Sequence, residues 1–335
     1  QNLLEQYIVV PIWGLAANNS SATPFQMTRS LNTVSSRGCP HACAFCYRGQ
    51  QGERNYGIRS VEHIARQIRW FIDRYGVDFV GFVDDNFAIS VPRCKKFPEV
   101  FREFDLNIRW GTHTRLDEAD ERIVPMNESG CVYIGFGAES ASERVLKRMK
   151  KGGHILKNGL TEIGVPGTER TWKFPTTMVN GYRKCRDTGI HGNCTWMMAY
   201  PDETLHDLQT SVAFILWQEQ LLTEGLMPGT PEYEMMRSAV NRRMFTATAY
   251  PGTAMFNDPA CREILTRNFG IRFEISGEPV CDEAFHHYVL ELDDATKVLH
   301  SQDGTPLNFG AMPMDQFLRA REYIDRGEIE KVLEI

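Results

Sequence analysis

The sequence predicts an α/β fold: a partial, TIM-like (β/α)6 barrel of parallel strands with a C-terminal α+β extension. Three observations predict it. Strand-like runs alternate with helix-like runs from about residue 30 to 255. Most strand runs are apolar throughout, as strands buried on both faces must be, which implies a parallel sheet under helices. Polar residues cluster just after each strand run, where such barrels place functional groups.

Leu31–Ser36 reads as a short first strand. Ser60 is an N-cap for a helix with Val61, Ile64, Ile68, Phe71 and Ile72 on one face, stopped by Gly76. Val77–Val83 is the second strand, followed by a helix over 90–104 that Pro98 is expected to make irregular. Ile108–Thr112 is the third strand, and Asp117–Ser129 a helix with a break at Pro125. Cys131–Gly137 is the fourth strand. The helix Ser142–Lys150 ends in basic residues, as its dipole prefers. Thr176–Thr188 is helix, Asn193–Ala199 strand, Thr204–Leu222 a long helix that Asp202–Thr204 caps, and Met244–Ala249 the last strand.

Residues 1–29 read as a connecting segment, 30–255 as the core barrel and 256–335 as the extension, with a helix after Asp258 and a closing helix from Asp315. Lys151–Lys173 and Leu222–Asn241 break the rhythm and read as loop insertions. His286 and His287 are placed on a strand, pointing apart.

The chain has 335 residues and a net charge of −6, which gives no long electrostatic footprint for nucleic acid and leaves room only for a local basic groove. The apolar run Ile8–Ala17 is cut by Pro11 and Gly14 and is too short to span a bilayer. Nine cysteines with one tight cluster read poorly as a disulfide framework and better as a reduced, cytoplasmic protein with one metal site. Gln1 stands where an initiating Met would, so a processed chain or a piece of a longer product is expected.

The cluster is SSRGCPHACAFCYRG, with Cys39, Cys43 and Cys46 in one loop. Three thiolates are one short of a closed zinc site, and His41 is cramped as a fourth ligand. An electron-transfer iron–sulfur centre needs a fourth, distant cysteine. A [4Fe–4S] cubane held by three thiolates leaves one iron able to chelate a small molecule.

The C-x3-C-x-aromatic-C spacing, with Phe45 as the aromatic, resembles the radical S-adenosylmethionine superfamily. The phrases FVDDNF at 82–87, GFGAESASERVLKRMKKG at 135–152, AYPDETLHDL at 199–208 and TAYPGTAMF at 248–256 are similar to one subgroup. It contains cobalamin-associated methylases and the oxygen-independent cyclase of bacteriochlorophyll synthesis. Asp202 replaces the subgroup's usual Gly.

The resemblance implies a [4Fe–4S] cluster on Cys39, Cys43 and Cys46, with S-adenosylmethionine on the open iron. It implies that Phe45, Asp84, Asp85, Arg115, Glu139 and Ser140 contact the cofactors: the carboxylates after strand two take the methionyl amine, Arg115 the methionyl carboxylate, and Glu139 the ribose or amine. No residue is singled out as catalytic. Reductive cleavage would start hydrogen abstraction, ending in methylation or cyclisation of a small-molecule, lipid or tetrapyrrole-like substrate. The electron would come from a donor such as flavodoxin or ferredoxin. Cobalamin stays open as a further cofactor, since its usual D-x-H-x-x-G phrase is absent from the chain. The alternatives are a tRNA methylthiotransferase-like enzyme, whose extra cysteines and basic tail are missing here, and a non-catalytic iron–sulfur or zinc protein.

Overall fold

The structure, a computed structural model, describes residues 3–9, 29–47, 55–165, 167–168, 170–292, 298–301 and 303–335. Most of the expected connecting segment, residues 10–28, lies outside the described residues. Ten strands are described: β1 Ser30–Thr33, β2 Ser36–Arg37, β3 Gly57–Ile58, β4 Phe79–Phe82, β5 Arg109–Arg115, β6 Cys131–Glu139, β7 Leu160–Gly164, β8 Thr171–Pro175, β9 His191–Met198 and β10 Met244–Thr246.

Six of them form one sheet in the order β1-β4-β5-β6-β9-β10. Every neighbouring pair in it is parallel. This is the partial barrel the apolar strands predict. Successive strands lie side by side, as right-handed β/α crossovers require. All six C-terminal strand ends therefore open on the same mouth.

Local chemistry sets most helix boundaries. The Ser60 hydroxyl accepts the His63 N–H at 3.2 Å, and Gly76 ends Val61–Tyr75 with a left-handed φ of 60°. Thr204 and Asp207 form a reciprocal capping box on Leu205–Thr223. Asp258 caps Pro259–Phe269.

The structure corrects several expectations. The first strand stops at Thr33, because Ser36–Arg37 pairs instead with Gly57–Ile58. The helix Val91–Glu103 runs through Pro98, whose burial beside Phe97 offsets one missing N–H. The break in the next element falls at 119–122, between a 3₁₀ turn at Leu116–Glu118 and the helix Ile123–Glu128. Pro125 sits in that helix's first turn, where a backbone N–H has no intrahelical partner to lose. The 151–173 insertion is not a plain loop; it holds the helix Gly152–Ile155 and the β7–β8 hairpin. The second insertion carries the helix Pro231–Ser238. His286 and His287 lie on the helix Glu283–Leu290, not a strand.

The main core lies between the sheet's outer face and the helices. Val80, Phe82, Trp110, Phe136, Cys194, Trp196 and Met198 all belong to it. The Phe87 and Trp110 rings stand 5.1 Å apart within it, and truncating such a ring typically costs about 3–5 kcal/mol. Phe317 and Ile324 of the closing helix Met314–Asp325 join this core. A second cluster around Tyr200, Phe256, Phe269 and Tyr288 packs the extension against the mouth, with Phe45 at its edge. The Tyr288 hydroxyl donates to the Ala249 carbonyl at 2.6 Å, fastening the extension to the segment after β10.

Candidate functional site

Because alternate strand residues face the outer core, their neighbours face the lumen. On β5 these are Gly111, His113 and Arg115, and on β6 Tyr133, Gly135 and Gly137. On β9 they are His191, Asn193, Thr195 and Met197. Phe79 and Tyr133 pack together as an apolar floor.

The cysteine loop sits above this lumen. Gly38, just before Cys39, has a φ of 78°, and a Cβ there would lie 2.0 Å from the Asn55 carbonyl oxygen. Only glycine fits. Two backbone bonds stitch Ala44 across the mouth: its N–H to the Met149 carbonyl at 2.9 Å and its carbonyl to the Met255 N–H at 2.8 Å. Cys39 and Cys43 are half-buried and Cys46 is exposed, whereas five of the other six cysteines are buried.

Asp84 is buried, with its carboxylate turned into the loop. It accepts the Ser35 N–H at 2.7 Å, the Ser36 hydroxyl at 2.6 Å and the Ser35 hydroxyl. Arg93 bonds that same Ser35 hydroxyl from below. Asp85 is exposed and accepts the Gly38 N–H at 2.8 Å. The two aspartates thus fix the residues immediately before Cys39. Behind them Asn86, Thr114 and His41 converge on the buried Glu118. Burial alone would push that carboxyl up, but the bonds from His41 and Thr114 hold it below the usual carboxylate range.

Arg115 ends β5 and is buried. Asp117 accepts its Nε at 2.9 Å and its Nη2 at 3.1 Å, and its Nη1 points at Cys43 Sγ, 3.3 Å away. Burial opposes its charge, but Asp117 outweighs that and keeps the guanidinium charged.

Glu139 ends β6 after a bulge and has a φ of 64°, a strained value for this residue. The bulge turns its carboxylate back over Gly137, whose Cβ, if present, would meet Oε1 at 2.6 Å. Lys151 Nζ pairs with that carboxylate at 3.1 Å and lies 5.8 Å above the Phe45 ring. The Lys151 side chain is only 4% exposed. Sequence reading missed Lys151, because it assigned this position to a loop; the basic KRMKKG run was the available signal. Ser140 points away from the lumen: it is fully buried, with its hydroxyl 3.3 Å from that of Ser211 on the long helix.

Deeper in the lumen, burial pushes the His191 imidazole down to about 4, and its Nε2 has no partner. His113 is held below the ordinary histidine range by the walls around it. A Cβ on Gly135 would meet its ring at 2.4 Å, so that glycine lets the imidazole lie flat against the wall.

The arrangement fits a cluster. Among the described residues no three His, Cys, Asp or Glu side chains gather tightly enough to hold a single ion. A cubane does not require that, since it offers each thiolate its own iron. The Arg115 donor at Cys43 suits a sulfur that bears negative charge.

The family profile described as the radical SAM superfamily matches residues 33–215, more than half of the chain. The chain belongs to the radical SAM superfamily. An uncharacterized methyltransferase of Pyrococcus horikoshii is 24% identical over 234 residues, which cover 69% of this chain and 42% of that protein. Bacteriochlorophyllide d C-12(1)-methyltransferase of Chlorobaculum tepidum is 24% identical over 241 residues, 69% of this chain and 47% of that one. The chain thus spans less than half the length of these relatives. Anaerobic magnesium-protoporphyrin IX monomethyl ester cyclase of Synechocystis is 29% identical over 35% of this chain and 24% of its own length.

Among solved structures, the cobalamin-dependent S-adenosylmethionine radical enzyme OxsB aligns with a TM-score of 0.55 at 16% identity, over 89% of this chain and 41% of that chain. The methyltransferase TsrM from Kitasatospora setae aligns with a TM-score of 0.51 at 14% identity, over 80% and 47%. These likenesses establish the fold of a radical SAM barrel. Among the described residues no helix is long and apolar enough to cross a membrane.

Proposed function

We propose that this chain is the radical-generating core of a methyltransferase or cyclase acting on a small, largely apolar molecule such as a tetrapyrrole or lipid. The reading rests on one observation: three accessible thiols on a loop fixed above the lumen, one of them already hydrogen-bonded by a buried cation. Cys39, Cys43 and Cys46 would hold the cluster. When bound, cluster and S-adenosylmethionine together supply reductive cleavage of the sulfonium and a radical that abstracts hydrogen.

The chain's own residues would position and shield that chemistry. Asp85, exposed at the mouth, and Glu139 are the carboxylates that would accept the methionyl amine and the ribose hydroxyls. Phe45 and Lys151 would line the same chamber. Asp84 and Ser140 support from behind, through the loop and the long helix. The floor of Phe79 and Tyr133 suits an apolar body, and His113, Asn193 and Thr195 offer a few polar contacts, the usual make-up of a ligand pocket.

The subgroup's methyltransferase and cyclase names favour this reaction class, and the relatives' tetrapyrrole names favour that substrate class. The reading leaves room for cobalamin as a further cofactor, since OxsB, similar in fold, is a cobalamin-dependent enzyme. The test is anaerobic reconstitution with iron and sulfide, addition of dithionite and S-adenosylmethionine, and chromatography of the products. Release of 5′-deoxyadenosine and methionine by the native chain, absent in Cys43→Ala, supports the proposal. A fully reduced cluster that leaves S-adenosylmethionine intact overturns it.

A further inference from the structure

The methionyl carboxylate expected at Arg115 would have to compete with partners already in place. Asp117 engages Nε and Nη2 as a fork, and the Lys151 carbonyl accepts Nη2 at 3.1 Å. The two side chains are 9% and 2% exposed, so the pair is desolvated and fixed in orientation. The fork leaves Nη1, which stands 3.3 Å from Cys43 Sγ.

We infer that Arg115, oriented by Asp117, is a positioning residue that raises the reduction potential of the cluster through a hydrogen bond to the Cys43 thiolate. This rests on the proposed cluster at the three cysteines. Reduction adds one electron, from a one-electron reductant, and breaks no bond. The added negative charge spreads onto the ligand sulfurs. A donor on one sulfur therefore stabilises the reduced form more than the oxidised form, and the potential rises. Low dielectric strengthens the effect at a buried site. Asp117 cancels the formal charge of Arg115, but it lies on the far side of the guanidinium, so the near donor decides the sign.

The pair also explains a feature of the loop. Cys43 is the middle cysteine and is flanked by the stitched Ala44, so its sulfur has the least freedom to move away from the donor. Cys46 lies at the exposed end, its thiol 3.6 Å from the Tyr47 carbonyl.

The test is a potentiometric titration of anaerobically reconstituted protein with dithionite, following the electron-spin-resonance signal of the reduced cluster, with iron counted in parallel. Arg115→Gln should shift the oxidised-to-reduced ratio about tenfold toward oxidised, a fall of about 59 mV for one electron. Arg115→Lys should recover part of that fall. Because Arg115→Gln strands a buried aspartate, Arg115→Gln/Asp117→Asn serves as the neutral replacement of similar shape, and it should show the same fall. Variants that hold a full complement of iron and titrate with the parent overturn the inference. Folded variants that take up no iron overturn it as well, since assembly is then the role of Arg115. A parent that binds no iron instead removes the proposed cluster itself, which separates the two failures.

Discussion

Asp84 accepts the Ser35 N–H at 2.7 Å, so the carboxylate after the second barrel strand holds the segment that leads into the cysteines. Its neighbour Asp85 faces solvent. The two adjacent aspartates therefore divide by burial: Asp84 is enclosed by the loop, while Asp85 holds the Gly38 N–H and is the one proposed to meet S-adenosylmethionine.

That division predicts opposite phenotypes. Asp84→Asn loses the acceptor of two serine hydroxyls and the charge facing Arg93, and should destabilise the fold by about 2–4 kcal/mol. Asp85→Asn should change stability by less than about 1 kcal/mol while weakening S-adenosylmethionine binding. Denaturant melts and equilibrium dialysis on reconstituted protein separate the two. Equal loss of stability in both variants contradicts the assignment.

Gly38→Ala combines a left-handed backbone with a 2.0 Å clash. The backbone conformation alone costs about 1–2 kcal/mol for an L residue. Iron uptake should fall sharply while far-ultraviolet circular dichroism stays near native. Normal iron content in Gly38→Ala would show that the loop geometry is dispensable.

Glu203 is fully buried, and neither of its carboxyl oxygens has a hydrogen-bond partner. Burial pushes its carboxyl up from 4.5 to about 8. The folded state then holds a proton that the unfolded state releases, so stability falls as pH rises from 4.5 toward 8. Glu203→Gln should remove that fall and gain on the order of 4 kcal/mol at pH 8, with little change at pH 4.5. Parallel stability–pH curves for parent and variant rule this out.

His191 acts in the other direction. Its folded value of about 4 lies below the ordinary 6.5, so the unfolded chain binds the extra proton. Stability is lost as pH drops from 6.5 toward 4, by up to about 3 kcal/mol. His191→Asn should flatten this acid limb. An unchanged limb would place the proton uptake on another group.

Much of this was legible in the sequence because local chemistry is strong there. Ser60 with Gly76, Thr204 with Asp207, and Asp258 with Pro259 announce helix ends through caps that depend on a few neighbouring residues. The apolar strands and the cysteine spacing needed no tertiary knowledge. What stayed hidden depends on contacts distant in sequence. Asp84 accepts bonds from Ser35 and Ser36, 49 and 48 residues away, a support role that no local pattern announces. Arg115 meets the Cys43 sulfur across 72 residues, a contact that no local pattern announces. Lys151 was hidden because only the β6 bulge and Gly137 bring Glu139 back to meet it.

The most direct measurement is Mössbauer spectroscopy of the chain reconstituted with isotopically enriched iron, with and without S-adenosylmethionine. A cubane on Cys39, Cys43 and Cys46 predicts about four irons per chain, one of which changes its signal when S-adenosylmethionine is added. Irons that ignore S-adenosylmethionine, or tightly bound zinc in place of iron, would contradict it.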